Sequence, residues 1–250
     1  MAELINLERD GAVAIATLNN PPHNLLTSAF IDQYCNVLEQ AVNDGARAIL
    51  VKSDLRHFCA GADVSALAAE SLDPVAILAR LESIPVPTIA ALNGAVLGGG
   101  LELALACDFI VAAESADIGA VEVHIGLAPL LGAVQRLVAL AGPARAREMA
   151  MLGRRYKPEV LERWGVINLV VADEELSNAS MSLAKQLAAG PTVAIAGIKK
   201  LVQVALNEGT QAADRENNSA LAAMWQSKDL QTGIKAMRES GPGTAVFEGE

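Results

Sequence analysis

The sequence predicts an α/β fold with a mainly parallel sheet, followed by a helical C-terminal region. Two observations point to it. Short apolar runs alternate with segments of helical period through the first two-thirds of the chain, and right-handed crossovers between such strands give parallel pairing. After Asp173 the strand signal stops, and helical periods fill 174–189, 192–208, 211–227 and 229–239, with Gly190-Pro191 as the clearest break. A β/α core over 1–190 and a helical region over 191–250 are expected.

Taken in order, residues 2–8 and 12–18 are β-like runs separated by Arg9-Asp10-Gly11, a hairpin signal. Thr27 can cap a helix whose apolar residues Phe30, Ile31, Tyr34, Val37, Leu38 and Ala41 fall on one face. Ala46-Arg47-Ala48-Ile49-Leu50-Val51 reads as a buried strand. A loop through Phe58-Cys59-Ala60-Gly61-Ala62-Asp63 leads to a short helix, and Asp73-Pro74 opens another as cap and first-turn proline. Thr88-Ile89-Ala90-Ala91-Leu92 is a strand, a helix starts near Gly99, and Phe109-Ile110-Val111-Ala112-Ala113 and 166–171 complete the alternation.

Composition narrows the function. Apolar residues are 52% of the 250 and aromatics 3%, so an ample core must be built from Ala, Val, Leu and Ile. A net charge of −10 argues against broad binding to nucleic acid or anionic membranes. The start Met1-Ala2-Glu3 carries acid where a secretory leader has Lys or Arg, and the most apolar stretch, 86–107, is interrupted by Pro87, Asn93, four glycines and Glu102. The three cysteines lack metal-ligand spacing and read as buried thiols of a reducing compartment. A cytoplasmic protein without a metal centre is expected, and His23, His57 and His124 read as structural or surface residues.

Chemistry concentrates in Asn93-Gly94-Ala95-Val96-Leu97-Gly98-Gly99-Gly100-Leu101-Glu102. Glycines before an apolar helix let backbone approach a ligand, and the first-turn N–H groups favour an oxyanion; close helix–strand packing would demand the same glycines. Glu102 lies in a run apolar on every side, where burial raises a carboxyl's pKa toward the range useful for proton transfer, unless the acid belongs to a structural ion pair. Glu122 is a second acid in an apolar setting. A parallel layout can bring the two to one mouth of the sheet, and such a pair favours acid–base catalysis.

At these residues the sequence resembles the crotonase superfamily, in particular the enoyl-CoA hydratase/isomerase family. Phe58-Cys-Ala-Gly-Ala-Asp-Val64 resembles the first oxyanion and CoA-binding loop, 89–104 with Cys107-Asp108 the second signature, and Gly119 through Gln135-Arg136-Leu137 the third. The resemblance implies a crotonase-like spiral of ββα units with a C-terminal helical region covering the pocket, assembled as a homotrimer or homohexamer. It places the oxyanion hole at the N–H groups of Ala62 and Gly99, substrate-binding positions at Ala60, Gly61, Asp63 and Gly98, and the catalytic acids at Glu102 and Glu122. It further implies an acyl-CoA thioester as partner and substrate, with coenzyme A part of that substrate and no separate cofactor. Retention of both acids points to hydration of a 2-enoyl-CoA, with an isomerase or lyase, or a non-catalytic CoA-binding protein, as alternatives.

Departures from the family pattern fall at Val121, where proline is common, and at Leu130 and Leu131, which replace small residues between Pro129 and Gly132. Thr232 stands where Glu is common. The leucines are expected to narrow the pocket or shift a backbone N–H, and segment 65–81 to shape the acyl pocket.

Overall fold

The computed structural model describes residues 3–69 and 72–250. Ala2 of the expected first strand, and Glu70 and Ser71 of the segment expected to shape the acyl pocket, lie outside the described residues. The elements are β1 (Ile5–Asp10), β2 (Val13–Leu18), α1 (Ser28–Asn43), β3 (Ala48–Ser53), α2 (Val64–Ala69), α3 (Pro74–Glu82), β4 (Thr88–Leu92), β5 (Ala95–Leu97), α4 (Gly99–Leu105), β6 (Phe109–Ala113) and β7 (Asp117–Gly119). A short 3-10 helix, Glu122–Ile125, then leads into α5 (Ala133–Leu152), β8 (Arg155–Tyr156), α6 (Pro158–Arg163), β9 (Leu169–Val171) and α7 (Leu176–Ala188). The chain ends in α8 (Thr192–Glu208), α9 (Thr210–Ala220), α10 (Ala222–Gln226) and α11 (Lys228–Glu239).

Two sheets form. The larger has order β1-β2-β3-β4-β6-β9, the smaller β5-β7-β8. The β1–β2 hairpin is antiparallel, and β2, β3, β4, β6 and β9 pair in parallel. Strands β3, β4 and β6 read as continuous apolar runs because both sides are covered. Ile49, Val51, Ala90, Leu92, Ile110 and Ala112 enter the main core, while Ala48, Leu50, Ile89, Ala91 and Val111 pack under Ala184 and Ala188 of α7.

The chain passes repeatedly from one sheet to the other. After β4 it turns at Asn93-Gly94 into β5 and then α4; after β6 it turns into β7 and the 3-10 helix. The segment after β3 makes the same move, its Cys59 bridging Val96 in parallel, and the segment after β2 follows with Leu26 bridging Ala62. These successive turns are the expected spiral of ββα units.

Local signals explain most boundaries. Thr27 accepts the Phe30 N–H at 3.1 Å and caps α1, and Asp73 does the same for α3 through Ala76 at 3.1 Å, with Pro74 in the first turn. The stretch 86–107 becomes β4, β5 and α4, and among the described residues no single helix is long and apolar enough to cross a membrane. Helices after 190 are tied back through Arg47, which reaches Thr192 at 2.9 Å, the Phe247 carbonyl at 2.9 Å and the Gly190 carbonyl at 2.6 Å. Lys199 on α8 pairs with Asp108 at 2.7 Å.

Three expectations change. The hairpin strand runs on to Asp10, with the turn at Gly11 (φ +60°) and Ala12. The strand expected over 166–171 shrinks to Leu169–Val171, because Val166 folds back to the Leu161 carbonyl at 2.9 Å and joins the core. The helix expected over 211–227 breaks at Leu221. There α8 crosses so closely that a methyl on Gly197 would sit 2.8 Å from Leu221 Cδ2 and 3.0 Å from the Ala220 carbonyl.

Gly100 packs α4 against the Cys59 segment: a methyl there would lie 2.3 Å from the Cys59 carbonyl oxygen. Since backbone cannot swing aside as a flexible side chain can, Gly100→Ala is expected to destabilise the fold by about 1–3 kcal/mol. Chemical denaturation measures this, and an unchanged midpoint would contradict so tight a contact.

Candidate active site

The site gathers where the spiral brings three loops together at the start of α4. Gly98, with φ +51° and ψ −121°, turns the chain from β5 into this helix, and its N–H donates to the Gly119 carbonyl at 2.9 Å. Gly99 is the first helical residue, so its N–H has no intrahelical partner. A methyl on Gly99 would sit 2.7 Å from Leu26 Cδ1 and 3.9 Å from the Ala62 methyl, so the loops carrying Ala62 and Gly99 abut.

Pairing orients Ala62. Leu26 donates its N–H to Gly61 O at 3.0 Å and accepts the Asp63 N–H at 2.8 Å. In such a parallel bridge the N–H of the intervening Ala62 points away from Leu26. Gly61 takes φ +128°, and its carbonyl also accepts the Cys59 thiol at 3.3 Å. Asp63 follows, its carboxylate capping α2 by accepting the Ala66 N–H at 3.0 Å. Ala60 donates its N–H to the His23 carbonyl at 3.0 Å.

Glu102 sits in the first turn of α4 and is 4% exposed. One carboxyl oxygen, Oε1, accepts two backbone N–H groups, from Leu131 at 2.6 Å and Ala133 at 3.2 Å. Among the described residues no cation pairs with it, so the ion-pair alternative is not realised. Burial pushes its pKa from the ordinary 4.5 to about 7; nearby Glu122 adds to the rise, while the N–H groups of Ala133, Leu131 and Leu130 oppose it. Desolvation wins over hydrogen bonding here.

Glu122 opens the 3-10 helix, and both its carboxyl oxygens are buried without a hydrogen-bond partner among the described residues. Burial raises its pKa as well. A methyl on Gly98 would meet Glu122 Oε1 at 3.3 Å, so the glycine leaves room for this carboxyl beside the start of α4. The structure thus brings Gly98, Gly99, Ala62, Glu102 and Glu122 to one place. An unpaired buried acid, a clamped acid and a helix-start N–H together can hold an anion and move protons.

Leu131 turns its side chain into the core and its N–H to Glu102, whereas Leu130 is exposed. His57 accepts the Ala95 N–H through Nδ1 at 3.0 Å, and His124 Nε2 meets the Gly153 carbonyl at 2.9 Å. A cavity of about 680 Å³ beside Ala60 escaped sequence reasoning; His23, Arg56, His57 and Arg155 line it. His23, Arg56-His57 and Arg155 come from three separate segments, and only the passage of the chain between the sheets collects them.

A carboxyl with a raised folded pKa binds more protons in the fold than in the unfolded chain, so stability falls as pH climbs from about 4.5 to about 7. The full effect is about 3 kcal/mol. Glu102→Gln removes it, and calorimetry at several pH values should find the variant melting above the wild type near pH ~8 and the two converging in acid. A variant that melts lower at every pH would contradict this.

Comparison with known proteins bears on this geometry. A family model described as enoyl-CoA hydratase/isomerase matches residues 8–248. A protein of Bacillus subtilis named probable enoyl-CoA hydratase is 33% identical, over 94% of this chain and 95% of its own. A carnitinyl-CoA dehydratase of Salmonella paratyphi B is 37% identical, over 80% of each. A solved enoyl-CoA hydratase subunit I from Geobacillus kaustophilus superimposes with a TM-score of 0.91 at 34% identity, covering 99% of both chains.

Proposed function

The chain belongs to the enoyl-CoA hydratase/isomerase family of the crotonase superfamily, and from that premise we propose that it hydrates a 2-enoyl-CoA to a 3-hydroxyacyl-CoA. One observation carries this reading: two buried carboxyls, one clamped by backbone donors and one unpaired, lie beside the Ala62 and Gly99 loops.

In this mechanism the thioester oxygen lies between the N–H groups of Ala62 and Gly99, which stabilise the enolate-like charge formed as water attacks Cβ. Glu102 Oε1 is taken by the Leu131 and Ala133 N–H groups, so Oε2 orients the water and accepts its proton. Glu122, whose pKa burial raises, delivers a proton to Cα. A proton must then pass from Glu102 to Glu122 to reset the pair. Run backwards, the same steps eliminate water, so a dehydratase relative fits the same apparatus. The leucines at 130 and 131 leave the Glu102 clamp in place, which favours an active enzyme over a non-catalytic one.

In the same reading coenzyme A enters as part of the substrate, and its phosphates lie in the cavity beside Ala60, toward His23 and Arg56. The exposed apolar side chains Val123, Ile125, Leu127 and Leu130 around Glu122, continuing in Val134 and Val138, are covered by neighbouring subunits of a homotrimer or homohexamer.

Loss of the conjugated enoyl thioester absorbance tests the assignment. Glu102→Gln and Glu122→Gln are each expected to slow hydration about 10²–10⁴-fold. Retention of wild-type rates by both would overturn the mechanism. Arg56→Gln should raise KM for the CoA thioester about tenfold with little change in kcat, as loss of one charge-assisted phosphate contact predicts. An unchanged KM would move the phosphates elsewhere.

A further inference from the structure

The turn that clamps Glu102 is itself held from outside. Gly132 lies between the two donors, Leu131 and Ala133, and takes φ +87°. The Arg136 guanidinium presses against it: a methyl on Gly132 would meet Nη1 at 2.2 Å and Leu78 Cδ1 at 3.3 Å. Arg136 Nη1 donates to the Gly132 carbonyl at 3.4 Å, as does the Arg136 backbone N–H at 3.1 Å. Its other arm, Nη2, donates to Glu82 Oε1 at 3.0 Å. Glu82 closes α3, and the two side chains are only 32% and 19% exposed, so the pair is partly shielded from solvent.

We propose that Arg136, held by Glu82, is a positioning residue for Glu102, fixing Gly132 so that the Leu131 and Ala133 N–H groups both reach one carboxyl oxygen. Two N–H groups separated by one residue converge on a single atom only if the intervening backbone is held in place. Arg136 and Glu82 supply that hold from two different helices. Of the charged side chains, Glu122 acts on Glu102 through space; Arg136 faces Gly132 from α5, and Glu82 faces Arg136 from α3. The consequence for rate rests on the proposed role of Glu102 as base, but the consequence for its proton affinity does not.

The sign of one substitution separates positioning from simple charge. Glu82→Ala removes a negative charge, which by itself would lower the pKa of Glu102. If Glu82 instead holds Arg136 in place, its loss frees the turn, weakens the donors and raises that pKa. Protein labelled with ¹³C at the glutamate carboxyls, with Glu102 assigned through Glu102→Gln, reports this titration whether or not hydration is observed. Glu82→Ala and Arg136→Gln are each expected to move the Glu102 titration upward by about one pH unit, the scale of one hydrogen bond to a charged group. Arg136→Lys keeps the charge but lacks the two-armed reach, and should shift it in the same direction. In hydration assays the acid limb of the pH profile should move with it, lowering the rate near pH ~7 about fivefold with KM unchanged and recovering at higher pH.

A downward or absent shift in Glu82→Ala would overturn the proposal, as would a lower melting temperature with no change in titration. Should Arg136→Gln fail to fold, Arg136→Lys and Glu82→Ala still decide it. A wild type inactive on every enoyl-CoA would count against the hydratase reading alone, because the carboxyl titration stands apart from activity.

Discussion

A carboxyl buried in the first turn of an apolar helix has to find donors, and Glu102 finds them in backbone. Leu131 and Ala133 supply two N–H groups to one oxygen, and this requirement ties α4 to the start of α5 across 29 and 31 residues of chain. Desolvation alone would hold the carboxyl's pKa higher still. The clamp brings it down to about 7, where protonated and ionised forms are both accessible. A charge partner would have driven the pKa low and left a poor base. Backbone donors strike a balance that an ion pair could not.

The glycine run shows why packing and chemistry are poor rivals as explanations. Gly98 takes a positive φ and leaves space for Glu122, Gly99 lies under Leu26 next to Ala62, and Gly100 rests against the Cys59 carbonyl. Each glycine answers a different constraint, and of the three only Gly98 meets an acid. Close packing at Gly100 seats the helix whose first N–H and fourth-position carboxyl form the site. The packing therefore positions the chemistry.

Much of this was legible in sequence, and the reasons differ by element. Strand β4 was readable to the residue because both of its faces are buried and it is bounded by Pro87 and the turn pair Asn93-Gly94. Helices α1 and α3 were readable because their caps are chemically distinctive. The smaller sheet was not, since β5 and β7 have three residues each and no period can show in so short a run. Likewise the break at Leu221 comes from α8 crossing at Gly197, a contact between distant parts of the chain. At the site, the two acids stood out by their apolar surroundings. The donors to Glu102 left little trace, because a backbone N–H looks the same in every residue but proline, and the Arg136–Glu82 tie becomes visible only when α3 and α5 meet.

The account stands or falls on water being added across an enoyl thioester by these two carboxyls. Incubating the pure protein with a series of trans-2-enoyl-CoAs in isotopically labelled water, followed by mass analysis of the products, tests that claim most directly. The account predicts oxygen label at Cβ and hydrogen label at Cα of a 3-hydroxyacyl-CoA, for at least one chain length. Hydrogen label at carbon with a displaced double bond and no oxygen label would contradict it, and would recast Glu102 and Glu122 as the proton carriers of an isomerase.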